Sequence, residues 1–334
     1  MMNYELFKEV AAEKFKEFMP KEFKDYKVDV HSITKVNQTM DGINLVPTGD
    51  DRLSTSPTIY INNMYEHYKE CEDLQEVLQS AAESMVKAFM EAPNVSPKVD
   101  FDTAKDNIIM VLVNTEQNKG MLENVPSRQF QDLSIIYRWV VDKDRDGISS
   151  TIVNNGLAEK LGMNEEQLYK AAVENTVRLF PPTVKSMNDV IRDMMMEDGM
   201  PGEIADMMIG EVPEENMMYV ISNERGVNGA ASMLYEDNLH KLAEKLETDL
   251  YIMPSSLHEV IAVSVNMGDP NELAQMVNEI NMDQVSLDER LSNQVYHYDK
   301  DLRKLSLATD TPNKRLDGIV AEPKLIYEVK DQSR

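Results

Sequence analysis

The sequence predicts an α+β fold, built mainly of antiparallel sheet with helices packed against it. Three observations carry this. Short apolar runs pair up across turn residues, as hairpins do. Longer stretches repeat apolar residues at helical spacing. No motif recurs at a fixed period, which argues against a solenoid or propeller. The expected organisation is a smaller α+β subdomain over residues 1–95, a larger α+β domain over 100–307 and a polar tail over 308–334.

The elements follow in chain order. Phe7, Ala11, Phe15 and Phe18 recur at helical spacing among lysines and glutamates, and Pro20 ends that helix. Residues 26–33 alternate apolar and polar as a half-buried strand, with a slip at Ser32 that reads as a bulge. Asp41-Gly42 reads as a turn into a short strand over 43–46. Pro57 opens a strand over 58–61. Leu74, Val77, Leu78, Ala81, Met85 and Phe89 line a long helix, and Ala92 to Pro97 reads as a linker.

Beyond it, strands are expected over 108–113, 133–141 and 148–153, with a turn over 142–147. Asn164 and Gln167 have the spacing of a capping box before an inner face of Leu168, Ala171, Ala172 and Leu179, and Pro181-Pro182 ends that helix. Residues 218–221 and 229–234 read as strands. A helix capped by Asp237 follows, burying Leu239, Leu242, Ala243 and Leu246. Strands over 250–253 and 259–265 come next. Asp269-Pro270 starts a helix with Leu273, Met276, Val277 and Ile280 inward. Residues 294–298 and 302–307 form a last hairpin, with a further strand expected over 325–329.

Composition bounds the function. The chain has 334 residues, 59 acidic against 34 basic, for a net charge of −25. Binding to nucleic-acid phosphate needs a basic face, and none is predicted. By phosphate spacing, the charge equals about 40 Å of duplex, so DNA mimicry is an alternative. However, the acids are spread along the chain with lysine and arginine among them, which suits solubility. No apolar run reaches the roughly 20 residues of a membrane span. Glutamates and lysines interrupt the first 20 residues, which argues against a secretory signal. The single cysteine, Cys71, permits no intrachain disulfide and points to the cytoplasm. It sits beside Glu70, Glu72 and Asp73, a setting that disfavours a thiolate nucleophile.

Several words in the sequence carry a family resemblance. They are Pro57-Thr58-Ile59-Tyr60, Glu174-Asn175-Thr176 with Leu179-Phe180-Pro181, and Tyr219-Val220-Ile221-Ser222-Asn223. Asn228-Gly229-Ala230-Ala231 with Leu234-Tyr235, the run Leu250 to Val260, and Leu291-Ser292 with Val295-Tyr296 complete the set. With these words the chain resembles domain-of-unknown-function family 5688. These are bacterial proteins frequent in gut anaerobes and on their mobile elements. The chain has Ser127 where the family pattern has histidine after Val125-Pro126, and Val36-Asn37 where it favours two asparagines. The resemblance implies a shared fold and supplies no activity, substrate or catalytic residue.

The most chemical-looking segment is Pro254 to Glu259. Ser255 and Ser256 offer a nucleophile, His258 a base and Glu259 an orienting carboxylate. Catalysis needs these groups aligned within hydrogen-bond reach, but neighbours on an extended chain point to opposite faces. The competing reading is a tight turn ordered by serine hydroxyls. Asp142 to Gly147 mimics the start of a calcium loop, but Val153 stands where a bidentate glutamate belongs, and a hairpin turn fits better. Position 262 is alanine, so His258-Glu259 lacks the second histidine of a helical zinc motif. No Gly-rich phosphate loop occurs. No metal and no cofactor are predicted. Tyr60, Tyr65 and Tyr68 could line a peptide groove, but their apolar area suits a core.

Residues 187–218 hold nine methionines and nine acids, with Arg192 the one base. Either this is an adaptable partner-binding arm centred on Met194, Met195, Met196, Met207 and Met208, or it is two short helices with methionines packed inward. The leading expectation is a non-enzymatic protein-binding or accessory factor with an unidentified protein partner, linked to mobile-element biology. A small hydrolase or transferase using Ser256 and His258 is the alternative from another class.

Overall fold

In the computed structural model, which describes residues 1–48, 56–91, 101–143, 147–210, 212–310 and 316, the chain divides into two units, Met1–Val99 and Asp100–Arg334. The expected linker at 92–97 and strand at 325–329 lie outside the described residues. The architecture is α+β, and every strand pair is antiparallel among the described residues. No helix among them is long and apolar enough to cross a membrane.

In the first unit, helix α1 (Tyr4–Lys14) starts where the Asn3 side chain accepts from the Leu6 N–H. It buries Phe7 and Ala11. Strands β1 (Tyr26–Lys35), β2 (Gln38–Pro47) and β3 (Thr58–Tyr60) form one sheet in that order. Helices α2 (Ile61–Cys71) and α3 (Leu74–Glu91) complete the core with Ile61, Leu78 and Met85. Each large apolar side chain so buried contributes about 1.5–3 kcal/mol. Tyr65 and Tyr68 belong to this core, whereas Tyr60 stays outside it, beneath the Lys35 ammonium. Tyr68 stacks on Phe7 with ring centroids 5.2 Å apart, and Tyr65 packs on the same ring.

Two expectations fail in this sheet. β1 and β2 pair without a register shift from Tyr26 opposite Pro47 to Lys35 opposite Gln38, so Ser32 makes no bulge. Asp41-Gly42 lies inside β2, and the chain turns instead at Val36-Asn37, where Asn37 takes φ 62°. Asp41 is tolerated within the sheet because it is fully partnered. It accepts from Ser32 Oγ at 2.7 Å and Tyr4 Oη at 2.9 Å, and pairs with Lys8 at 2.7 Å. Gly42 serves close packing rather than a turn. A Cβ there would lie 2.6 Å from Thr58 Cγ2 and 2.9 Å from Ile33 Cδ1.

The second unit holds two sheets. In the first, β6 (Leu133–Lys143) pairs with β4 (Ile108–Asn114), β5 (Ser127–Phe130) and β7 (Ile148–Ile152). The unbroken apolar run of β4 is buried at every residue. The other sheet has the order β13-β12-β10-β11-β9-β8. Its strands are β8 (Pro182–Ser186), β9 (Tyr219–Asn223), β10 (Leu250–Met253), β11 (Val260–Ser264), β12 (Tyr296–Asp299) and β13 (Lys304–Leu307). Proline-started β8 takes an edge, where a missing N–H costs least.

The helices are α4 (Lys119–Leu122), α5 (Asn155–Leu161), α6 (Glu165–Leu179), α7 (Met187–Glu197), α8 (Gly202–Ile209), α9 (Glu236–Leu246) and α10 (Pro270–Asp283). The Asn164–Gln167 capping box starts α6, and Asp269 caps α10. Helix α6 covers β4 through polar ties. Thr176 Oγ1 accepts from the Met110 N–H at 3.0 Å, and Asn175 Nδ2 donates to the Lys105 and Ile108 carbonyls. Asp237 is not the cap of α9; Tyr235 holds that position, with no side-chain bond. On α10, Met276 and Ile280 face outward at 53% and 45% exposure, while Ala274, Val277 and Asn281 are buried.

Residues 229–234 form a 3-10 helix, not the expected strand, because the backbone at Gly229 is pinned. A Cβ on Gly229 would lie 2.2 Å from Ser222 Oγ, 2.4 Å from the His258 carbonyl and 2.9 Å from the Asn223 nitrogen. Asn228, in the left-handed region at φ 53°, turns the chain into this contact. Gly229→Ala is expected to destabilise the unit by about 3 kcal/mol, read by urea unfolding followed through Trp139 fluorescence. Gly120→Ala, with no atom within 4 Å of the new Cβ, is the control and should shift stability by less than about 1 kcal/mol. Equal small effects at both positions would contradict the assigned constraint.

Candidate functional site

The segment from Pro254 to Glu259 connects β10 to β11 and is held by backbone on both sides. The Leu291 and Ser292 N–H groups donate to the Ser255 and Pro254 carbonyls at 2.9 and 2.8 Å. The Leu257 N–H donates to the Glu289 carbonyl at 2.8 Å, and its own carbonyl accepts from Ala230 at 3.1 Å. Ser222 Oγ donates to the His258 carbonyl at 2.7 Å. The loop is therefore saturated with hydrogen bonds to the 3-10 helix and to residues 289–292.

Within it, the four candidate side chains take different partners. Ser256 Oγ, on a buried side chain, accepts from the His258 backbone N–H at 3.0 Å, the geometry of a serine turn. The His258 imidazole turns elsewhere. Its Nδ1 accepts from the Asn228 N–H at 3.3 Å, which leaves the ring proton on Nε2, 3.4 Å from Glu289 Oε1. Ser255, half-buried, contributes its carbonyl to the loop's pairing. Glu259 is half-buried, and burial, reinforced by the Glu289 charge, raises its carboxyl above the ordinary glutamate range against the opposing pull of His258. The serine oxygen and the imidazole thus share a loop, each occupied by a backbone N–H.

The residues that organise this region include several that the motif reading passed over: Ser222, Asn223, Asn228, Gly229, Glu289 and Asp132. Asp132, between β5 and β6, is half-buried. It accepts from Ser292 Oγ at 2.6 Å and from the Tyr296 hydroxyl. Burial raises its carboxyl, and the two hydroxyl donors oppose that rise. Asn114 Nδ2 also donates to the Leu291 carbonyl at 3.1 Å, so both sheets hold the same strip of chain. A sequence signal existed for part of this set, since Ser222-Asn223 and Asn228-Gly229 lie in the family words.

The methionine-rich arm is a helical hairpin. The Ser186 side chain caps α7, Gly199 turns the chain at φ 90°, and Arg192 pairs with Asp206 at 2.7 Å across the two helices. None of α7 is buried, and only Ala205 of α8 is. Met194, Met196, Met207 and Met208 are exposed at 61%, 46%, 77% and 61%, and Met195 is half-buried. Ile191 and Ile204 are exposed beside them. The acids Asp193, Glu197, Asp198, Glu203 and Asp206 are exposed on the same hairpin. Apolar and acidic side chains therefore share one solvent-facing element. The inward-packed arrangement fails because two short helices offer too little shared surface to cover the seven methionines of residues 187–209.

Of the calcium-like loop, residues 144–146 lie outside the described residues, and Asp142 Oδ1 accepts from the Lys143 N–H. Among the described residues, no group of three or more His, Cys, Asp and Glu could hold a metal ion.

The raised Glu259 carboxyl yields a pH prediction. A carboxyl raised in the fold binds its proton more tightly folded than unfolded, so it loses stability as pH rises from the unfolded value through the folded one. Wild type should therefore lose stability relative to Glu259→Gln as pH rises from about 4.5, and the difference should level off above the folded value. Urea unfolding of both proteins across that range measures it; a pH-independent difference would contradict the assignment.

No curated protein and no solved structure matches the chain. A sequence model of one family does, over residues 4–300, which takes in both units and every strand up to β12. The chain belongs to the family of unknown function DUF5688.

Proposed function

We propose that the protein is a non-enzymatic binding or accessory factor that docks a protein partner on the α7–α8 hairpin. The observation that carries this reading is the exposure of Met194, Met196, Met207 and Met208 on an element with a single buried residue. Solvated methionine is flexible and polarisable, and it adapts to irregular apolar surfaces. A contiguous apolar patch rimmed by charge is the usual mark of a docking surface. The surrounding acids set the partner's chemistry, since a basic amphipathic helix would bring apolar anchors to the methionines and cations to the rim. The net charge of −25 would steer such a partner from a distance. The single cysteine supports a cytoplasmic setting. The resemblance to bacterial proteins carried on mobile elements supports a role in mobile-element biology.

The probe is a fluorescent peptide of about 20 residues with leucines at i, i+3, i+4 and lysines elsewhere, compared with a scramble of the same composition. Wild type should bind the amphipathic peptide at least tenfold tighter than the scramble. The triple variant Met194→Ser, Met207→Ser, Met208→Ser keeps every charge and should bind about 100-fold more weakly, a loss of about 3 kcal/mol. Unchanged far-UV circular dichroism would show that the fold is retained. Equal affinity for both peptides, or an unaffected triple variant, would reduce the interaction to bulk charge and overturn the proposal.

A further inference from the structure

A cleft of about 280 Å³ lies between α9 and the junction of β8 with α7. Asn238, Lys241, Leu242 and Lys245 stand at i, i+3, i+4 and i+7 of α9, so one helix face forms the wall. Tyr219 of β9 and Leu242, both buried, supply an apolar floor with Val184 opposite. The polar groups are unevenly satisfied. Asp189, the acid lining the cleft, is held by Ser186, whose hydroxyl donates to it at 2.6 Å. Lys245 donates to the Tyr219 hydroxyl at 3.2 Å and lies 3.5 Å from Glu214. Lys241 has no partner among the described residues. The Asn238 Nδ2 group is buried with no acceptor among the described residues.

Two ammonium groups and an apolar floor define a ligand by complementarity. We infer that this cleft binds a small amphipathic carboxylate, its apolar body on Tyr219, Leu242 and Val184 and its carboxylate between Lys241 and Lys245. The volume lies near the lower end for small-molecule sites, which suits a ligand of roughly ten heavy atoms. The protein's overall field opposes any anion. A preference for an acid over its neutral amide must therefore come from the local lysines, which makes the preference diagnostic. The inference stands apart from the docking reading, and the triple methionine variant should retain the site.

The test compares 3-phenylpropionate, its neutral amide and inorganic phosphate by calorimetric or NMR titration of the full chain at fixed ionic strength. The acid should bind at least about fivefold tighter than the amide, and phosphate should bind more weakly than the acid because it leaves the floor uncovered. Lys241→Met, which breaks no contact within the protein, should abolish the preference, whereas Lys160→Met on α5 should keep it. Equal binding of acid and amide, phosphate binding as tightly as the acid, no binding of either organic probe, or a preference that survives Lys241→Met would each overturn the inference.

Discussion

The second unit depends on a backbone approach that only glycine permits. At Gly229 the chain comes so close to Ser222, Asn223 and the His258 carbonyl that a single added carbon would overlap all three. That approach lets Ser222 reach the His258 carbonyl and Ala230 reach the Leu257 carbonyl. The loop so fixed holds residues 289–292 by three further backbone bonds. Ser292 and the nearby Tyr296 then bond the half-buried Asp132, and Asn114 bonds Leu291, tying in the other sheet. Each step satisfies a buried polar group, and leaving one unsatisfied costs more than a typical hydrogen bond gains. The family words at 219–223, 228–231, 250–260 and 291–296 therefore meet in one place, and their hydrogen bonds hold the loop there.

The same network shapes how the chemical-looking loop should be read. A serine, a histidine and a glutamate within four residues invite a catalytic interpretation. Here the serine oxygen accepts from the main chain, and the imidazole spans Asn228 and Glu289. Both side chains order the loop. The α7–α8 hairpin is the opposite case. It is capped and internally paired, yet it contributes one buried residue to the unit and presents its methionines to solvent. Within one unit, the loop's polar groups are taken up by its own pairing, while the hairpin leaves apolar side chains in solvent.

What the sequence disclosed follows from how local each feature is. The capping box at Asn164, the Asp269-Pro270 start and the buried run of β4 depend on residues a few positions apart, and each formed as read. Asp41-Gly42 reads as a turn because turn propensity is local, whereas the partners that keep Asp41 in the sheet, Ser32, Tyr4 and Lys8, come from elsewhere. Residues 229–234 read as a strand because Ala230, Met233 and Leu234 are apolar; the contact that forbids a strand comes from 222 and 258. Met276 and Ile280 fit an inward helix face by period, but the buried stripe is turned toward Ala274 and Asn281, where Asn281 bonds Ser292 and Asn293. Glu289 and Asp132 belong to no local motif, and only the fold reveals their roles.

The central claim is that the hairpin meets a basic protein segment. A photoreactive benzoylphenylalanine at position 207, in the full chain expressed in its native host, tests this directly. Position 302 serves as the matched control, since Leu302 is 73% exposed against 77% for Met207. The account predicts a discrete protein adduct from position 207, its cross-linked peptide rich in lysine and arginine, and no such adduct from 302. No adduct at 207, an adduct on an acidic segment, or the same products from both positions would contradict it.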